Sequence, residues 1–197
     1  MRAPSQAASL SWRPPSTPVQ LLSYLLGTWS VSKEMQYTRG GKSGTFAGQA
    51  TFAWLGCDMP AVAFEEKGTA RLAPEDQEYS ARHRLLYMAP PDDPTLLRVC
   101  FDEARERDSA AAVVAGSRFF HTIEYTSMDA EPPPFVHPCG PDVYRGRIAL
   151  DDKQTFRLLW RVSGPRKLGS VVSTFRREGR DDSIPGVLGE PDAYVCE

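Results

Sequence analysis

The feature that most constrains this chain is a change of hydrophobic period at Gly27. Before it, Thr17 can cap a short helix, Pro18 suits the first helical position, and Gln20 completes a capping box. Leu21, Leu22, Leu25 and Leu26 give that helix an apolar face, and Gly27 can stop it. From Trp29 the period becomes two: Trp29, Val31, Met35 and Tyr37 define a first strand, and Phe46, Phe52 and Trp54 share a parity in a second. Strand character returns over Ala61–Glu66, Tyr79–Met88, Leu96–Phe101 and Phe119–Tyr125, and again near Val143–Leu150, Phe156–Val162 and Leu168–Arg177.

The breaks between these runs are short. Arg39-Gly40-Gly41-Lys42 is a turn, Ala89–Pro94 is rich in proline and aspartate, and Pro132–Pro134 enters a turn at His137–Cys139 in extended form. Arg105–Gly116 reads either as a long loop or as a helical turn. About nine to ten strands with short connections, and no alternation with long helices, predict an all-β antiparallel up-and-down barrel with the helix plugging one end. Three parts are expected: a flexible arm over residues 1–16, the barrel over 17–179, and a tail over 180–197.

Composition narrows the function. A net charge of −2 gives no basic excess for nucleic acid, and the longest apolar stretch, near Leu21–Leu26, is too short to span a membrane. The four cysteines, Cys57, Cys100, Cys139 and Cys196, are scattered without Cys-x-x-Cys spacing and read as reduced thiols. The expected location is the cytoplasm. Arg2, Arg13 and several serines ahead of the first acidic residue, Glu34, leave organelle import as the alternative.

Several motifs occur in a fixed order: Gly27-Thr28-Trp29, Phe119-Phe120-His121, His137 through Gly146 with Asp142, Tyr144 and Arg145, and Trp160 through Lys167. Together they resemble an uncharacterised domain-of-unknown-function family of calycin-like, or lipocalin-like, barrels found mainly in bacteria and fungi. The resemblance covers roughly Val19–Arg177. It implies a lipocalin-like barrel and no established reaction. Relative to the family's tight turn, Ala110–Ala115 looks like an insertion.

In a calycin-type barrel a basic side chain of the last strand lies across the buried tryptophan of the first and seals the floor. Here that pairs Trp29 with Arg176 or Arg177; alternation allows only one of the two, and Arg176 is assigned the role. The sharpest polar cluster is His121, His137, Cys139, Asp142 and Tyr144, which holds two of the three histidines. It admits a hydrogen-bonded structural knot, a set of ligand-polarising groups, or a metal site. Metal sites show tighter local spacing, so no metal is expected. Glu65 and Glu66 fall on opposite faces of a strand, so one points inward and needs a partner such as Arg82, Arg84 or His83. Gly40-Gly41-Lys42-Ser43 lacks the spacing and the following helix of a phosphate loop.

The expected function is binding of a small, largely apolar molecule inside the barrel, of unknown identity, haem being one candidate guest for His121 or His137. Trp54, Trp160, Phe119, Tyr87 and Tyr144 would form the wall, with His121, His137, Cys139, Asp142 and Lys167 as polar groups. The alternatives are a small isomerase, hydratase or cyclase using His121, Asp142 and Tyr144, or an interaction module that engages a protein partner through its terminal arms.

Overall fold

The computed structural model describes residues 12–55, 59–74, 77–104, 109–125 and 134–179. The tail, most of the N-terminal arm, Cys57, Cys196, Pro132 and Pro133 lie outside them. Helix α1 (Pro18–Leu25) is followed by strands β1 (Gly27–Arg39), β2 (Gly44–Trp54), β3 (Ala61–Leu72), β4 (Gln77–Met88) and β5 (Leu96–Asp102). A short helix α2 (Ala110–Ala115) precedes β6 (Ser117–Glu124), β7 (Phe135–Cys139), β8 (Asp142–Leu150), β9 (Thr155–Ser163) and β10 (Leu168–Arg177). The turn expected at His137–Cys139 is instead a strand, β7, paired with β8, which brings the count to ten.

Nearly all pairing joins strands adjacent in sequence, and β10 returns to pair with β1. The sheet order is β6-β5-β4-β3-β2-β1-β10-β9-β8-β7, so the barrel is all but closed and its two edges, β6 and β7, flank one seam. Odd positions of β1, β4 and β10 and even positions of β2, β3, β8 and β9 carry the interior core, while Ala61, Leu86, Met88 and Cys100 form a second buried cluster with Val113 of α2 on the other face of the wall.

Helix α1 is built as its sequence dictates. The Thr17 hydroxyl accepts the Gln20 amide, Pro18 occupies the first turn, and the Gln20 side-chain oxygen accepts from Ser16. Its apolar face is fully withdrawn from water: Leu21, Leu22 and Leu25 are buried, and Trp12 packs against the ring of Tyr24. A positive φ of 109° at Gly27 turns the chain from the helix into β1.

Under the helix lies the floor of the barrel. Trp29 is fully buried and donates from Nε1 to the Leu25 carbonyl at 2.7 Å. Phe156 stacks on Phe175 at 4.3 Å between centroids, and Trp29 meets Phe156 edge-on at 4.8 Å. The basic residue over Trp29 is Arg177, not Arg176. Its guanidinium lies 4.0 Å from the indole ring and donates to the carbonyls of Leu26 at 2.6 Å and Tyr24 at 2.5 Å. Arg177 shares the inward parity of Phe175, whereas Arg176 is exposed on the outer face. Trp29 and Arg177 thus satisfy three consecutive carbonyls at the end of α1 that no further helical turn can reach.

Removing that side chain forfeits a cation–π contact and leaves two half-buried carbonyls without donors. Arg177→Ala is expected to cost about 3 kcal/mol in urea unfolding, and Arg176→Ala less than about 0.5 kcal/mol. Equal effects of the two substitutions would contradict this closure.

Candidate functional site

The wall on either side of the seam is not uniform. Between β5 and β6 the register slips: Val99 pairs with His121 and Cys100 with Phe119, leaving Phe120 unpaired in a bulge. The slip turns Phe120 and His121 both toward the interior, while Phe119 stands outside at 57% exposure. Phe119 is therefore not part of the wall, and neither is Trp54, which is 42% exposed at the end of β2.

Side chains take over where the ladder stops. Nδ1 of His137, on β7, donates to the carbonyl of the bulged Phe120 at 2.9 Å, across the seam. His121 stacks on Phe135 at 4.4 Å, Phe120 packs edge-on against His137 at 4.5 Å, and Trp160 completes the cluster, 4.9 Å from Phe135 and 5.5 Å from Phe120. Gly146, within the motif noted above, leaves room for this packing: a Cβ there would fall 1.9 Å from the ring of Phe135.

Above the sealed floor the interior holds a cavity of about 210 Å³. Phe64, Leu85, Tyr87, Phe120, Ile123, Phe135, Leu158, Trp160, Val171 and Phe175 supply its apolar surface, and Lys33, Glu66, His83, His121, Tyr144 and Ser173 its polar groups. A larger groove of about 520 Å³, lined by Met59, Met88, Phe119 and Arg98 among others, lies on the outer face beside α2. It is a trough on the far side of the wall from the convergent polar groups.

The expected polar residues are divided by the structure. His121, Tyr144 and Trp160 line the cavity, and His137 sits behind them as the seam bond. Lys167 donates to the Tyr144 hydroxyl at 3.0 Å. Asp142 is buried but turned away from the cavity: its Oδ1 accepts the amides of Arg166 and Lys167 in the β9–β10 turn, at 2.9 and 3.1 Å. Cys139 is exposed and Cys100 buried, both as free thiols. His121, Asp142 and Tyr144 are therefore not gathered into one proton-transfer set. Among the described residues no three His, Cys, Asp or Glu side chains converge as a metal-holding group, and no helix is long and apolar enough to cross a membrane.

The pair Lys33 and Glu66 was not foreseen. Glu66 is the inward member of the Glu65–Glu66 step, only 3% exposed, and its partner is Lys33 of β1, at 2.5 Å, rather than Arg82, Arg84 or His83. Glu65 faces out to Arg82 and Lys67. Lys33 has the same inward parity as Trp29 and Val31, and its ammonium also lies 5.1 Å from the Phe46 ring. His83 stands opposite Glu66 in the β3–β4 ladder. Burial, reinforced by the Lys33 charge, lowers its pKa from 6.5 to about 4. Burial does the same to His121, lowering it to about 4 despite its contact with the Thr122 carbonyl. Burial first, and then the Glu66 charge, drive the Tyr87 hydroxyl well above its usual range.

These features define a nearly closed antiparallel barrel, floored by a helix and hollow in its upper half. The chain belongs to a family of unknown function, DUF6314, whose model matches residues 25–177. Its fold is that of the S-type phycobiliprotein lyase CPES from Guillardia theta, with a TM-score of 0.58 at 7% identity over 83% of this chain and 93% of that one. Two redesigned β-barrels align more loosely. One has a TM-score of 0.36 at 16% identity, covering 80% of this chain and 95% of the other. The second, bound to DFHBI, has a TM-score of 0.34 at 15% identity, covering 78% and 99%. No curated protein matches the chain.

Two interior histidines held neutral carry a pH signature. Between about pH 6.5 and pH 4 the unfolded chain takes up protons at His83 and His121 that the native barrel excludes. Stability therefore falls as pH falls through that window, by up to about 1.4 kcal/mol per pH unit for each histidine. In urea titrations across this range, the His83→Leu/His121→Leu double variant is expected to show a visibly shallower loss. An unchanged slope would contradict the assignment.

Proposed function

We propose that this protein binds a small, largely apolar and aromatic molecule inside its barrel. The observation that carries this reading is the cavity of about 210 Å³, walled by aromatic and aliphatic side chains, into which a few polar groups converge. An engineered apolar cavity of about 150 Å³ is enough to take up benzene, whereas drug-sized ligands occupy roughly 300–1,000 Å³. The volume favours a one- or two-ring guest, and a haem-sized molecule would require the wall to move. The likeness to CPES supports a barrel of this shape, and the interior chemistry of this chain supports the binding.

Ser173, small, buried and on the cavity wall, offers the direct test. Toluene should raise the melting temperature of the unmodified protein in a concentration-dependent way, by mass action on the native state. Ser173→Phe, which fills the void, should abolish that shift. Absence of any toluene shift in the unmodified protein would overturn the reading.

A further inference from the structure

Glu66 presents its two carboxylate oxygens to different surroundings. Oε1 accepts from Lys33 at 2.5 Å. Oε2 has less than 1 Å² of accessible surface and no hydrogen-bond partner among the described residues. A buried carboxylate oxygen is an acceptor only, and its lost hydration stays uncompensated until a donor reaches it. No group of the cavity wall bonds it: Phe64, Leu85 and Phe175 are apolar, and neither the Tyr87 hydroxyl nor the His83 and Ser173 side chains on the same wall donate to it. Glu66 nevertheless lines the cavity, so a guest's donor reaches that oxygen once the side chains that cover it shift aside.

Charge decides what kind of donor. Lys33 and Glu66 neutralise one another. The two imidazoles on the same cavity, His83 and His121, are uncharged near neutral pH because burial holds their pKa at about 4. The interior is thus balanced before any guest enters. An ammonium guest would add an unmatched buried charge, and an anionic guest would face the Glu66 carboxylate while the Lys33 ammonium is already engaged. A neutral N–H or O–H disturbs nothing and supplies the bond that Oε2 lacks.

We propose that Glu66 Oε2 is the recognition group of this cavity, and that its ligand is an uncharged, aromatic-bodied molecule presenting an N–H or O–H donor. This rests on the interior-binding reading above and gives that reading its ligand class. The Lys33 bond holds the carboxylate in place, so the acceptor is oriented before the guest arrives.

Calorimetric titration of the full chain with matched probes tests it. Indole and benzofuran have nearly the same size and shape, and only indole carries an N–H. Indole should bind at least tenfold more tightly, about 1.4 kcal/mol. Benzyl alcohol should likewise exceed benzylamine, its similarly sized cation, at least tenfold. In the Lys33→Met/Glu66→Met double variant, which replaces the pair with apolar side chains, indole and benzofuran should bind alike. Equal binding of indole and benzofuran to the unmodified protein would overturn the role of Glu66 and leave interior binding standing. Tighter binding of benzylamine would overturn the uncharged class. A preference for indole that persists in the double variant would overturn the assignment to Glu66. Failure of all four probes to bind would overturn both this proposal and the reading beneath it.

Discussion

Arg177 lies across Trp29 at the point where α1 ends and the barrel begins, and the rest of the architecture follows from that contact. A helix eight residues long has little stability of its own and leaves carbonyls at its C-terminus without partners. Here the indole N–H and the guanidinium reach the carbonyls of Tyr24, Leu25 and Leu26. The helix is thereby bonded to the first and last strands at once. Because Trp29 pairs directly with Arg177 in the β1–β10 ladder, one register fixes closure of the sheet and closure of the floor together. Aromatic residues can then pack solidly at that end, with Phe156 against Trp29 and with Phe52 and Phe175 against Phe156, and the opposite half is free to remain hollow.

The hollow half depends on a second device. An up-and-down sheet needs every neighbouring pair of strands to close completely, and β6 and β7 do not form a ladder among the described residues. The bulge at Phe120 leaves a carbonyl facing the seam, and the His137 side chain supplies the donor that a strand would have provided. The same bulge turns two consecutive side chains inward, so Phe120 and His121 can both build the aromatic wall. Seam closure and cavity lining thus have one structural origin.

Much of the architecture was legible because it rests on local rules. Thr17, Pro18 and Gln20 marked the helix start, and alternation marked most strands. Parity would also have chosen Arg177 over Arg176, since Phe175 is the large apolar residue of that segment and shares its face with Arg177. Parity likewise held the signal for Lys33, a lysine two residues beyond Val31 on the inward face of β1, although nothing local names its partner on β3. Two features were not readable. The bulge at Phe120 depends on pairing with β5, so Phe119 was assigned to the wall by an alternation that the slip reverses. Strand β7 contains Pro138 and ends at Cys139, just before Gly140, a stretch that read as a turn; its edge position explains why the ladder tolerates a proline. The residues His121, His137, Cys139, Asp142 and Tyr144 read as one polar cluster, but they divide among cavity, seam, surface and turn through contacts distant in sequence.

The central claim is that the barrel is hollow above its floor and that the Glu66 carboxylate faces the hollow. A crystal structure of the full chain, at a resolution that shows ordered water, measures this directly. The account predicts electron density for water or a bound small molecule within the cavity lined by Glu66, Leu85, Leu158 and Trp160 and, where a guest is bound, one of its donors at hydrogen-bonding distance from Glu66 Oε2. A core in which those side chains close on one another, leaving no void beside Glu66, would contradict it.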